Sequence, residues 1–242
     1  MPASFTRYAH LCEGGVFCLL SLIGPCTRLG TLLSAVIVVF GVIGLTMHRD
    51  FYAGHVRRDF FCFYTNVSNL VVLIYFALGA PRLYARAQLH KLIPHAEFAV
   101  MMCIMLTFCV FHLVLYPPIR IAAQHMPRTR EYFIVYADNI IIHYLVPLSV
   151  FAYWLLCSPE KRTLGPADAL YWTALPLVYI ACIFLRARRN IIIKETGSPY
   201  PYPFLDTDAL GTVRVLRICA GIYGLCFLAG LCIIALIRLI AA

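Results

Sequence analysis

"FFCFYTNVSNLVVLIYF", residues 60–76, decides how this chain is read. The stretch as a whole is apolar and helix-sized. Within its first ten residues stand Thr65, Asn66, Ser68 and Asn69, four hydrogen-bonding side chains where a lipid-spanning helix would carry leucines. A polar group in hydrocarbon is costly unless it finds a partner. The cluster therefore serves either helix packing or chemistry.

The rest of the chain makes lipid the expected solvent. Of 242 residues, 62% are hydrophobic and 13% charged, and the mean hydropathy is +0.83. Soluble domains average about 45–50% apolar and about 25% charged residues. Runs of spanning length fall at 31–47, 60–80, 98–116, 139–157, 167–185 and 218–237, separated by charged or proline-containing stretches. The expected fold is an all-α integral membrane protein, a six-transmembrane-helix bundle forming one domain over 1–242. Residues 1–30 read as an interfacial lead-in, because too little chain separates Ile23 from Thr31 for a further span.

Charge and cysteine content narrow the function classes. The formal charge of +9 comes from Lys and Arg in short loops flanking spans, where they anchor helix ends and meet anionic headgroups. No nucleic-acid partner is expected. Eleven cysteines without a CxxC pair behave as small apolar residues, so neither a metal site, a cofactor nor a disulfide framework is indicated.

Six spans put the loops after helices 1, 3 and 5 on one face, and these hold the larger share of the Lys and Arg. The positive-inside tendency turns that face to the cytoplasm. Near it three polar residues share a depth. Thr65 lies about 7–8 Å into helix 2 at 1.5 Å per residue, His143 a similar way into helix 4, and His112 just before the end of helix 3. A membrane threonine commonly packs or bonds its own helix, whereas an intramembrane histidine is by default functional.

A hydroxyl becomes a nucleophile when a base takes its proton, and imidazole is the usual base. Thr65, Ser68 and Asn69, spaced i, i+3, i+4, share a helix face. Ser68 and Asn69 are candidate oxyanion or orienting groups. Asn139, four residues before His143, is a candidate to orient the ring. Pro147, lacking an N–H, should leave the carbonyl of residue 143 unpaired and bend the helix there. Asp138 is expected at the mouth as a helix cap or orienting carboxylate. The stretch "SPYPYPFLDTD", 198–208, reads as a stiff interfacial turn, or as a lid in which Tyr200, Tyr202, Phe204 and Asp206, with His112, border the pocket.

"FYTNVSN", "HYLVP" and "YPYPFLD" in this order resemble the androgen-induced and androgen-dependent family of multi-pass membrane threonine hydrolases, in its bacterial branch. The resemblance implies hydrolysis of fatty acid esters of hydroxy fatty acids, with Thr65 as nucleophile and His143 as the essential histidine. The resulting expectation is an intramembrane esterase in a cell or cytoplasmic membrane, acting on a fatty-acyl ester drawn from the bilayer. An acyltransferase would use the same pair. A proton-coupled carrier with a histidine relay, or a scaffold whose polar residues only pack, are the readings from other classes.

Overall fold

The structure, a computed structural model, describes residues 28–48, 59–79, 92–124, 127–158 and 161–241. The expected lead-in up to residue 27 and most of the loop between the first two helices lie outside the described residues. The elements are α1 (Arg28–His48), α2 (Tyr64–Ala77), α3 (Ile93–Val110), α4 (Tyr116–Ala123), α5 (Arg130–Ile140), α6 (Val146–Cys157), α7 (Asp168–Tyr171), α8 (Ala174–Arg188), α9 (Thr207–Leu210) and α10 (Thr212–Ala241). No strand occurs among the described residues beyond one isolated bridge, Ile193 to Ser198.

Five helical stretches are long and apolar enough to cross a membrane: Arg28–Met47, Ile93–Ile121, Arg130–Cys157, Asp168–Arg188 and Thr212–Leu239. They suggest a multi-pass membrane protein. Large apolar side chains cover their outer faces; on α10, Val213, Leu225 and Leu239 are all more than 60% exposed. The second expected span differs. Its helix has 14 residues, Tyr64–Ala77, preceded by a 3-10 turn at Phe60–Cys62 and by Phe63 in extended conformation. Gly79, at φ +67°, turns the chain just past its end.

Two further boundaries moved. α5 begins at Arg130, nine residues before the expected Asn139, because Thr129 caps it by accepting the Tyr132 N–H at 3.3 Å and Glu131 complements its first turn. Asp138 is consequently interior to a helix and 6% exposed, so it is no cap. Helix 3, expected to stop at 116, continues through Pro117 and Pro118 to Ala123.

Both of these helices carry the same device. A five-residue π turn, Phe111–Leu115, joins α3 to α4, and another, Ile141–Leu145, joins α5 to α6. Each is followed by one residue and then a proline. A proline removes one helical donor, and a single π turn absorbs the mismatch without breaking the helix. The expected bend at His143 therefore takes the form of a π turn around that residue.

The core gathers Phe98, Met101, Ile104, Ile142, Tyr153 and Trp154, all 2% exposed or less. α1 packs on α2 and α6, and α3 on the same two helices. α1 comes close to the second π turn at Gly44. A Cβ there would stand 2.5 Å from Cγ2 of Ile142 and 2.9 Å from Cγ2 of Ile141. Only glycine lets α1 lie this close to the π turn that carries His143.

Candidate active site

Two hydroxyls of α1 bond their own helix. Ser34 donates to the Gly30 carbonyl at 2.7 Å and Thr46 to the Val42 carbonyl at 2.8 Å. Thr65 has no such carbonyl beneath it, because the extended Phe63 interrupts the helix two residues earlier. Its Oγ1 turns outward from α2 and lies 3.3 Å from Nε2 of His143. Both residues are buried, at 7% and 5% exposure.

The tautomer follows from the other ring nitrogen. Nδ1 of His143 lies 3.1 Å from the Asn139 carbonyl oxygen, which can only accept, so Nδ1 carries the proton. Nε2 then presents its lone pair to Thr65, whose hydroxyl donates to it. Phe111, from the neighbouring π turn, stacks on the imidazole with centroids 3.7 Å apart and planes 15° apart. The imidazole is held by a backbone carbonyl on its edge and an aromatic ring on its face.

The start of α2 is fixed from several sides. Asn66 donates to the Phe60 carbonyl at 2.9 Å, Tyr179 to the Cys62 carbonyl at 2.6 Å and Tyr64 to the Cys103 carbonyl at 3.3 Å. Asn69 donates to the Thr65 carbonyl at 2.8 Å and to the Ile142 carbonyl at 3.2 Å. That second bond has a clear cause. The Val146 N–H, the normal α-helical partner of Ile142, bonds Ile141 instead, and the next donor position is Pro147. The π turn and Pro147 thus leave the Ile142 carbonyl without a helical donor, and α2 supplies one.

Several expected site residues stand elsewhere. Asn69 uses its amide N–H groups on carbonyls and clamps the two helices rather than facing an oxyanion. Ser68 bonds the Thr65 carbonyl at 3.1 Å and the Thr107 hydroxyl at 2.7 Å, pointing at α3. Asn139 orients His143 through its backbone, while its side chain donates to the Val135 carbonyl at 2.9 Å. His112 is exposed, bonded to the Tyr144 hydroxyl at 3.0 Å and stacked on Phe108. Shared depth placed it near the pair, but its azimuth on the helix points it outward while Phe111 points in.

The proline-rich segment divides similarly. Tyr202 and Phe204 border a cavity of about 70 Å³ that begins at Thr65 and runs among Leu106, Val110, Pro176, Ile180 and Ile222. Tyr200 is bonded to Thr207. Asp206 caps α9 through the N–H groups of Asp208 and Ala209, each at 2.9 Å. The segment is pinned where it meets the site. Asp59, just before the 3-10 turn, pairs with Arg186 at 3.1 Å and accepts the Lys194 N–H at 3.0 Å. Sequence reasoning missed Phe111, Thr107 and Tyr179; the aromatic next to His112 was the available signal for the first.

Among the described residues no group of three or more His, Cys, Asp or Glu gathers to hold a metal ion. No family model, curated protein or solved structure matches the chain, so the site is read from its own geometry.

Proposed function

We propose that the chain is a six-span membrane esterase in which Thr65 attacks a fatty-acyl ester and His143 is the base, in keeping with the threonine hydrolases its motifs resemble. The observation that carries this is the Thr65 Oγ1 to His143 Nε2 approach of 3.3 Å, with the opposite ring nitrogen on a carbonyl. A packing threonine needs no imidazole in that tautomer. α2 is the second span in this reading. Its 14 residues cover about 21 Å of a hydrocarbon layer of about 30 Å, which starts the helix, and with it Thr65, below the headgroups.

In the reaction Thr65 Oγ1 adds to the ester carbonyl as its proton passes to Nε2. Collapse expels the alkoxide, which takes that proton and leaves as the alcohol. Water then attacks the acyl-Thr65 ester, giving its proton to Nε2, and the second collapse releases the fatty acid and returns the proton to Thr65. The cavity that Thr65 borders, walled by aliphatic and aromatic side chains, offers an apolar surface to the start of the acyl chain.

Fluorophosphonate labelling of purified protein in detergent tests the proposal, with Thr65→Ala and His143→Ala beside wild type. Label that appears on wild type alone and maps to Thr65 is the expected result. A folded wild type that stays unlabelled, or equal labelling of Thr65→Ala, removes the nucleophile.

A further inference from the structure

The Thr65–His143 pair supplies a nucleophile and a base, but a carbonyl addition also builds negative charge on oxygen. Asn69 and Ser68, the donors expected to meet it, are turned to other partners. Tyr202 stands where a donor is wanted. It borders the same cavity as Thr65 and is 8% exposed. Its ring is held edge-on by Phe63, at 6.1 Å between centroids, and flat against Phe204, at 5.3 Å and 2°.

Tyr64, Thr65 and Tyr179 border that cavity with it, and Phe63, which its ring touches, directly precedes the backbone N–H groups of Tyr64 and Thr65. Those two N–H groups belong to the first turn of α2, where no intrahelical acceptor exists. A phenol oxygen that accepts from such N–H groups has its lone pairs engaged and its own O–H polarised, which makes it a stronger donor. Burial pushes the Tyr202 phenol up from its ordinary range, with the surrounding donors partly opposing that rise. The phenol therefore keeps its proton while giving a hydrogen bond.

We infer that Tyr202 is a further catalytic residue, whose O–H donates to the ester carbonyl oxygen as Thr65 adds to the carbon. This rests on Thr65 being the nucleophile. The new bond runs from Thr65 Oγ1 to the carbonyl carbon, the π pair moves to oxygen, and the resulting oxyanion accepts the Tyr202 hydrogen bond without taking its proton. The only transferred proton remains the one passing through His143. Collapse of the intermediate returns the charge to the carbonyl and the hydrogen bond weakens again, so the donor acts on the transition state more than on bound substrate.

The test is Tyr202→Phe in the full-length protein in detergent, measured on p-nitrophenyl octanoate and on the matching thionoester, whose sulfur is a poor hydrogen-bond acceptor. Phenylalanine preserves both ring contacts, and thermal unfolding monitors the fold. Loss of one oxyanion donor typically lowers kcat about 10²–10³-fold. The expected result is a fall of that size on the oxoester with KM within about threefold, and a clearly smaller fall on the thionoester. If wild type hydrolyses the ester through a labelled Thr65 while Tyr202→Phe stays within about threefold in kcat, the inference fails and the Thr65–His143 reading survives. Equal falls on the two esters assign Tyr202 a structural role and overturn it as well. Should the variant not fold, wild type alone decides: equal rates on oxoester and thionoester rule out a hydrogen-bonded oxyanion. A wild type that neither labels nor turns over fails at the earlier step.

Discussion

The Asn69 amide of α2 donates to the Ile142 carbonyl of the π turn at 3.2 Å, one residue before His143. The helix of Thr65 thereby supplies the partner that the helix of His143 lacks. Removing the donor leaves a buried carbonyl unsatisfied, a cost of about 1–3 kcal/mol. Asn69→Leu should lower the unfolding midpoint and reduce Thr65 labelling together. In a Pro147→Ala background, residue 147 has an N–H to offer Ile142, so the cost of Asn69→Leu should shrink. A double-mutant cycle by thermal unfolding reads the difference; strict additivity would show that the clamp does not act through that carbonyl.

His143→Gln puts a hydrogen-bonding amide in place of the imidazole and leaves no basic nitrogen. General-base catalysis contributes about 10²–10⁴-fold, and ester turnover should fall within that range. Thr65→Ser, which retains a hydroxyl at the same place, should keep measurable turnover. A chain in which both substitutions leave function intact would be a scaffold.

Gly44→Ala tests the packing behind the base. The new methyl would press on the Cγ2 atoms of Ile141 and Ile142, which are β-branched and have little rotamer freedom. Overpacking of this kind costs about 1–3 kcal/mol. Stability and turnover should both drop, although Gly44 is on a different helix from both Thr65 and His143.

His112→Phe should leave turnover within about twofold. The histidine is exposed and its contacts are Phe108, Tyr116 and Tyr144, none of which is Thr65 or His143. A large loss in the variant would restore His112 to the site.

Val110→Trp and Ile222→Trp narrow the cavity that leads away from Thr65. On a series of p-nitrophenyl esters both variants should shift the preferred acyl chain to shorter lengths. An unchanged profile would place the chain elsewhere.

The pairing of Thr65 with His143 was legible because depth along a membrane helix follows directly from residue count. Rotation about the helix axis was not. Phe111 and His112 are adjacent, so which of them faces His143 depends on the phase set by a π turn, and nothing in the apolar pattern announces that turn beyond the proline that follows. The break at Phe63 was equally silent, since the residues around it include neither glycine nor proline. It is held by Tyr179, from far along the chain, on the Cys62 carbonyl and by Asn66 on the Phe60 carbonyl. Tyr202 could be placed near the pocket but not against Thr65, because the path of its segment depends on Asp59 binding Arg186 and Lys194.

The π turn at Ile141–Leu145 amounts to one residue more than an uninterrupted α-helix would hold. Each residue of an α-helix advances the side chains by about 100°. A chain shortened by one position there would have a smoother helix and a different side chain opposite the hydroxyl of Thr65. Two descendants of a common ancestor could then share nearly every residue and differ in chemistry through a single gap. In any set of relatives, the length of this segment should sort chains that present an imidazole to the threonine from chains that do not more sharply than overall identity does.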